Sequence, residues 1–210
     1  MECREDTGGG NGPAAAHRVS GLTQAPVRPT LQLCANPGER TRVAEVFDVV
    51  NEADAVIGRA TREQVHGDPS LIHRVAHVLV SRSDGALFLQ LRSPDKDVQP
   101  GKWDTSVGGH VDAGESYDEA ARREMAEELG IEESPIEAIY RYLHRNAFES
   151  EMVTTFRTVW DGPIKTDPIE ITAGRFWTLD EIDADDPSVF TPNFLDELAR
   201  YREWLRARAR

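Results

Sequence analysis

The segment from Gly109 to Ile131 constrains the fold of this 210-residue chain more than any other stretch. Ser116, with Glu119 three residues later, is typical of a capping box at the start of a helix. Gly130 is typical of the residue that ends one. The segment therefore predicts a helix that begins after Ser116 and ends at Gly130, entered from a glycine-containing loop.

Three carboxylates lie close together on that predicted helix. Glu124, Glu127 and Glu128 are separated by three and four residues, which places all three on one face. Like charges on one face repel each other and lower helix stability, whereas a solvated face usually includes cations. The arrangement therefore predicts a bound hard cation, because Mg²⁺ and Mn²⁺ favour carboxylate and water oxygens.

The whole segment resembles the Nudix box. Written as G-x5-E-x7-R-E-U-x-E-E-x-G-U, with U a bulky apolar residue, the pattern is matched at every specified position. The resemblance implies metal-dependent cleavage of the diphosphate linkage in a nucleoside-diphosphate-X type substrate, by attack of activated water on phosphorus. It also implies that Arg123 orients a box glutamate, that Glu115 helps to close the loop, and that Gly109 and Gly130 are backbone positions.

The general base of this implied reaction has several candidates. Glu127 or Glu128 could serve within the box. Glu151 is the alternative outside the box, and Glu170 is the next one. Because these glutamates are expected to lie close together, their titrations are expected to be coupled.

The net charge of −13 limits the partners of the chain. Stable binding to a nucleic-acid duplex normally needs a basic patch, so that role is not expected. A polyphosphate substrate must enter a negative protein. Cations must therefore be concentrated at the site, as metal ions or as basic side chains.

The chain is predicted to consist of two parts. Residues 1–40, rich in Gly, Pro and Ala, predict a disordered extension, and residues 41–210 predict a Nudix hydrolase domain. Both cysteines, Cys3 and Cys34, fall in the extension and indicate neither a disulfide framework nor a zinc site. No membrane-spanning run and no secretory signal are evident, so a cytoplasmic protein is expected.

The order of the predicted elements is typical of an α+β domain. Strands are predicted over 43–50, 74–80, 87–91, 136–143 and 153–160, with shorter extended pieces at 56–58, 106–111 and 176–177. Thr61 predicts the cap of a short helix, and Thr191 with Pro192 predicts the start of a C-terminal one. The Nudix resemblance implies an α/β/α sandwich with a mixed β-sheet.

A second resemblance covers residues 45–195. The stretches 58–66, 73–74, 89–96 and 100–103 are similar to type 1 isopentenyl diphosphate isomerase, itself a Nudix-fold enzyme. In that family three histidines and two glutamates hold a divalent metal, and the matching residues here are His66, His73, His110, Glu149 and Glu151. The basic residues that bind the diphosphate in that family match Arg62, Arg92 and Lys96.

Departures from the isomerase pattern favour hydrolysis. The isomerase has a catalytic cysteine at the place of Gly108, and residues 41–210 contain no cysteine. Asn193 stands where the isomerase has an aromatic residue that faces a developing carbocation. The chain therefore resembles a YfcD-like subgroup of Nudix hydrolases that is similar to the isomerase in sequence.

Two other functions stay open as alternatives, namely isopentenyl diphosphate isomerase and a non-catalytic, nucleotide-sensing Nudix module. The five residues His66, His73, His110, Glu149 and Glu151, called the histidine set below, would bind a second metal ion. That ion would have a structural role or would be softer than Mg²⁺. The moiety X is not identified by the sequence, and a homodimer is expected by analogy with the family.

Overall fold

The computed structural model describes residues 45–95, 98–168 and 170–210. The predicted extension, both cysteines and Lys96 lie outside the described residues. The described strands are β1 (Val46–Val50), β2 (Val56–Thr61), β3 (Ile72–Ser81), β4 (Leu87–Arg92), β5 (Trp103–Asp104), β6 (Val107–His110), β7 (Glu137–Arg145), β8 (Ser150–Val159) and β9 (Ile171–Trp177). The described α-helices are α1 (Arg62–Val65), α2 (Tyr117–Leu129), α3 (Leu179–Ala184) and α4 (Pro192–Arg208).

The strands form one mixed sheet around β3. Strand β3 pairs in parallel with β8 over ten residues and antiparallel with β1, β4 and β6. Strand β2 pairs with β1, β7 with β8, and both β5 and β9 with β4. The register between β3 and β4 consists of the pair Ser81 and Leu87, so these two strands separate beyond that point.

The sheet carries a helix on each face. Ala76, Val78 and Val80 of β3 pack with the buried residues of α2 in one apolar cluster. Leu79, between two of them in sequence, packs instead with Phe194 and other residues of α4. Since successive side chains of a strand point to opposite faces, α2 and α4 cover opposite sides. The predicted α+β fold, an α/β/α sandwich with a mixed sheet, is confirmed.

Helix α2 has the predicted limits. Ser116 is its N-cap, and its hydroxyl accepts a hydrogen bond from the Glu119 amide, while the Glu119 carboxylate accepts one from the Ser116 amide. Gly130 follows the helix with φ of +66°, a left-handed conformation that glycine adopts without steric cost. Among the described helices, none is both long and apolar enough to cross a membrane.

Candidate functional site

A cavity of about 700 Å³ opens where β3 and β4 separate. One wall includes His77 of β3 and the β6 strand, and the other includes Gln90 of β4 and Asp104 of β5. Most of the predicted site residues line this cavity: Arg62, His66, Arg92, Gly109, His110, Arg123, Glu124, Glu127, Glu128, Glu149 and Glu151. The structure therefore brings the box and the histidine set to one place.

Arg123 links several residues of the Nudix box to one another. Its guanidinium donates to both carboxylate oxygens of Glu115, at 3.0 and 2.9 Å, and to Glu124 at 2.7 Å. It also donates to the backbone carbonyl of His110 at 3.0 Å and lies 3.5 Å from Glu127. Glu115 in turn accepts from the Asp112 amide. Arg123 therefore contacts the loop before α2 and a carboxylate of α2, while its orienting role and the loop closure by Glu115 stay predictions.

The three box glutamates differ in environment. Burial raises the pKa of Glu124, although the neighbouring Arg123 opposes that change. Glu128 is buried, with Gln90 at 3.3 Å, whereas the Glu127 side chain is 62% exposed. A Cβ atom on Gly109 would overlap the Glu124 carboxyl group, so glycine at 109 leaves the room that this carboxylate occupies.

The histidine set forms a compact group beside the box. The ligand atoms of His66, His73 and His110 lie within 4.8 Å of one another, and so do those of His73, Glu149 and Glu151. His66 and His110 bring their Nε2 atoms to 3.0 Å. The box glutamates are not among the described groups that come together so closely. A set of three imidazoles and two carboxylates has the chemistry of a divalent-cation site.

Protonation in this group follows from burial. Burial lowers the pKa of His73 to about 4, with His66 adding to the effect, and it lowers the pKa of His110 well below its usual value. Neutral imidazoles carry the lone pair that a metal ligand needs. Neither ring nitrogen of His73, which is fully buried, makes a hydrogen bond of ordinary geometry. Burial raises the pKa of Glu151 to about 7, with repulsion from Glu149 contributing.

The predicted diphosphate-binding arginines already have acidic partners. Arg62 donates to Glu45 at 2.8 Å, and its Nη1 lies 3.5 Å from Nδ1 of His110. Arg92 donates to Asp104 at 2.9 Å and to the Val98 carbonyl at 3.2 Å. Both side chains line the cavity, so they lie where a substrate would meet them.

Sequence reasoning missed a buried pair at the back of the cavity. His77 Nδ1 lies 3.0 Å from Oε1 of Glu197, which is fully buried in α4. The missed signal is the spacing on β3, because His73 and His77 are four residues apart and therefore lie on one face of a strand. Glu197 gave no comparable signal, since its partner is 120 residues away.

Comparison with known proteins agrees with this geometry. The NUDIX domain family matches residues 71–198. The Nudix hydrolase YfcD of Escherichia coli strain K12 is 34% identical over 174 residues, which is 82% of this chain and 94% of YfcD. A Nudix hydrolase of Yersinia pestis is 34% identical over 157 residues, covering 75% of this chain and 85% of the relative.

Solved structures show the same fold. The crystal structure of DR0079 from Deinococcus radiodurans has a TM-score of 0.63 and 29% identity, covering 75% of this chain and 98% of that protein. The MutT protein of Methanosarcina mazei Go1 has a TM-score of 0.57 at 20% identity, covering 68% of this chain and 98% of that protein. The chain therefore belongs to the Nudix hydrolase family, whose members in general hydrolyse diphosphate bonds with a divalent metal ion.

Proposed function

We propose that this chain hydrolyses the diphosphate linkage of a nucleoside-diphosphate-X type substrate, by attack of water on phosphorus. The observation that carries the proposal is the arrangement of the box. Glu124, Glu127 and Glu128 line one cavity, and Arg123 donates to Glu124 while it is itself fixed by Glu115.

The donor set of the box fits a hard cation. Carboxylate oxygens are the ligands that Mg²⁺ and Mn²⁺ favour, and Glu124, Glu127 and Glu128 would hold the ion. Once bound, such an ion neutralises charge on the diphosphate and lowers the pKa of water. Arg123 limits the rotamers of Glu124, which keeps one carboxylate in place before the substrate arrives.

A carboxylate of the cavity takes the proton from the attacking water. Glu127, Glu128, Glu151 and, after them, Glu170 are the candidates, and all four line the cavity. Glu151 has a pKa raised to about 7 by burial, which suits a base at neutral pH. Its place in the histidine set competes with that role, so variants at Glu151 and Glu128 must be compared.

The histidine set fits a second divalent cation. His73 has two buried nitrogens without ordinary hydrogen bonds, which is costly unless they meet a ligand. Imidazole ligands suit cations softer than Mg²⁺, such as Zn²⁺. His66, His73, His110, Glu149 and Glu151 would be its ligands, as the resemblance to the isomerase implies.

The diphosphate would bind to Arg62 and Arg92, with Lys96 as a third cation. The Nη1 atom of Arg62 lies 3.5 Å from Nδ1 of His110, a proposed metal ligand, so Arg62 is placed beside the site where the diphosphate would bind. Arg92 has Nε and Nη1 committed within the protein, so it can offer a substrate its remaining donors.

Hydrolysis is favoured over isomerisation because Gly108, at the place of the isomerase cysteine, has no group that transfers a proton. Assignment to the isomerase-like subgroup rests on the five metal-site residues and on the relatives that include YfcD. A homodimer remains a prediction, and light scattering of the purified protein tests it.

The test is turnover across a panel of nucleoside diphosphates and triphosphates, dinucleotides, nucleotide sugars and prenyl diphosphates with Mg²⁺. At least one class should be hydrolysed, and Glu127→Gln should lower its rate by about 10³-fold. Glu133→Gln, an exposed acid beyond α2, is the matched control and should behave as wild type.

Three outcomes would contradict the proposal. The first is wild-type hydrolysis by Glu127→Gln. The second is conversion of isopentenyl diphosphate into its isomer without release of phosphate, which supports the isomerase. The third is binding across the panel with no product from any compound, which supports the sensor.

A further inference from the structure

The pair formed by His77 and Glu197 lies where α4 packs on β3, and His77 lines the cavity. His77 is 5% exposed, and its Nδ1 lies 3.0 Å from Oε1 of Glu197. The hydroxyl of Thr155 donates to the same oxygen at 2.8 Å. The hydrogen bond from Thr155 holds the Glu197 carboxylate in place, and this carboxylate in turn fixes the orientation of the His77 imidazole ring.

The pair is ionised near neutral pH. Burial alone would lower the pKa of His77, but the carboxylate of Glu197 outweighs it and raises this pKa to about 9. The charge of His77 in turn lowers the pKa of Glu197 against the effect of burial. As an imidazolium, His77 is a hydrogen-bond donor at both ring nitrogens.

The Nε2 edge of His77 faces the cavity beside Gly108. These two residues are paired in the register of β3 and β6, and both line the cavity. A Cβ atom on Gly108 would lie 3.3 Å from Cδ2 and 3.4 Å from Nε2 of the ring. Glycine at this position therefore leaves the donor edge uncovered, and any side chain would sit over it.

A second polar side chain lines the same cavity from the start of α4. Asn193 lines the cavity and lies one helical turn before Glu197. Its Oδ1 atom is buried and has no hydrogen-bond partner among the described residues. Because a buried acceptor without a partner is costly, this atom indicates a ligand that brings a donor.

We infer that His77 and Asn193 form a recognition point for one of the groups joined to the diphosphate, here called X whether it is the nucleoside or the other moiety, and that X is an uncharged polar group. His77 binds an acceptor oxygen of X, and Asn193 accepts a hydrogen bond from X. A carbonyl beside an N–H, as in a nucleobase, has this chemistry, and so does a pair of sugar hydroxyls. A hydrocarbon X does not. The inference rests on the proposed function, since X is defined by the diphosphate next to it.

An uncharged group fits better than an anion. The charge of His77 is already balanced by Glu197, and Glu151 and Asp104 also lie close enough to raise the His77 pKa. A further negative charge would be repelled by these carboxylates. A neutral oxygen gains the hydrogen bond without that repulsion.

The test compares three probes: uridine 5′-diphosphate, which has a base, ribose 5-diphosphate, which has an uncharged sugar but no base, and dimethylallyl diphosphate. We expect wild type to favour one of the polar probes in kcat/KM. Gly108→Ala, which covers the ring edge, and Asn193→Leu should each lower the ratio of polar to hydrocarbon kcat/KM by about tenfold, mainly through KM. Which polar probe is affected separates base from sugar recognition.

Two further variants control for structural damage. Asn193→Ser keeps an acceptor oxygen without adding charge and should recover part of the loss. Gly58→Ala, where an added Cβ meets nothing within 4 Å, should keep the wild-type ratio. Equal loss on all three probes, or a wild-type preference for the hydrocarbon probe, would overturn the inference.

A spectroscopic measurement separates this inference from the proposed function. The proton on Nε2 of His77, observed by NMR, should shift when a polar probe is added and should not shift with dimethylallyl diphosphate. If no compound of the substrate panel is hydrolysed and the shift is seen, the proposed function fails and the recognition point stands. Hydrolysis of a polar probe without any shift refutes the recognition point alone.

Discussion

The guanidinium of Arg123 forms two parallel hydrogen bonds with the carboxylate of Glu115, eight residues earlier, at 3.0 and 2.9 Å. The same group also holds Glu124 and the backbone of His110. One side chain therefore sets the positions of the loop before α2 and of a carboxylate on α2. The planar guanidinium group has several donors in a fixed arrangement and can hold all three partners, whereas the single ammonium group of lysine cannot.

Arg123→Lys should therefore lower kcat/KM by about 100-fold, since Glu124 loses its fixed position while the charge is kept. Steady-state kinetics on the substrate identified by the panel measure the effect. Arg122→Lys is the matched control, because the neighbouring Arg122 pairs with the exposed Asp118 and faces away from the cavity lining. Similar losses in both variants would show that Arg123 acts through helix stability.

Gly109→Ala should inactivate the protein with little loss of secondary structure. The added methyl group would overlap the Glu124 carboxyl group, and the end of a flexible side chain can move away more easily than a backbone. We expect a loss of about 100-fold in kcat, measured beside the far-ultraviolet circular dichroism spectrum. Gly58→Ala on the edge strand β2 should keep both properties. Full activity in Gly109→Ala would mean that Glu124 does not need its observed position.

The stability of the protein should fall as pH rises from about 6.5 to about 9, because of His77. The pKa of this histidine is raised to about 9 when folded, chiefly by Glu197 against burial, with Glu151 of β8 and Asp104 of β5 adding to it. A raised pKa stabilises the folded state fully below the unfolded value, near 6.5, and the gain is lost as pH passes the folded value. The lowered pKa of Glu197 gives the opposite trend in acid, where its contribution disappears as pH falls.

Urea unfolding of wild type and Glu197→Gln across this range measures the effect. Glutamine keeps the shape of the side chain and removes the charge that raises the His77 pKa. The loss between pH 6.5 and 9 should be absent from the variant. Parallel curves for the two proteins would show that the pair does not titrate as described.

Metal analysis tests the histidine set. Purified wild type, stripped and reloaded with Mn²⁺ or Zn²⁺, should bind more metal than His66→Ala, because His66 contributes to the group gathered within 4.8 Å. His144→Ala is the control, since His144 lines the cavity but is not in that group. Equal metal content in His66→Ala and wild type would exclude a second site that depends on this ligand.

Local signals in the sequence predicted α2 well, because its limits depend on residues within the helix itself. Ser116, Glu119 and Gly130 perform the capping roles that their types suggest. The elements that were missed depend on distant partners. Strand β5 has two residues and exists through pairing with β4, and β9 extends back to Ile171 although most of its side chains are exposed. Helix α3 (Leu179–Ala184) was also not predicted, although Thr178 and Glu181 form a capping box there.

The residues of the candidate site also differ in whether the sequence alone could identify them. The box and the histidine set could be named from motif and resemblance, and the structure gathers both at one cavity. The His77–Glu197 pair could not be named, because its partners are 120 residues apart and meet only when α4 packs on β3. The acidic partners of Arg62 and Arg92 could not be predicted from the sequence either, since neither pairing follows a local spacing rule.

The separation of β3 from β4 beyond Ser81 and Leu87 gives the cavity two walls. The wall on β6 and α2 carries the box, where few substitutions preserve the geometry around Arg123. The wall on β4 and β5 also reaches the reaction centre, since Gln90 lies 3.3 Å from Glu128 and Arg92 lines the same cavity. An engineer who wishes to change the substrate would therefore leave both walls unchanged and diversify the start of α4, where Asn193 lines the cavity.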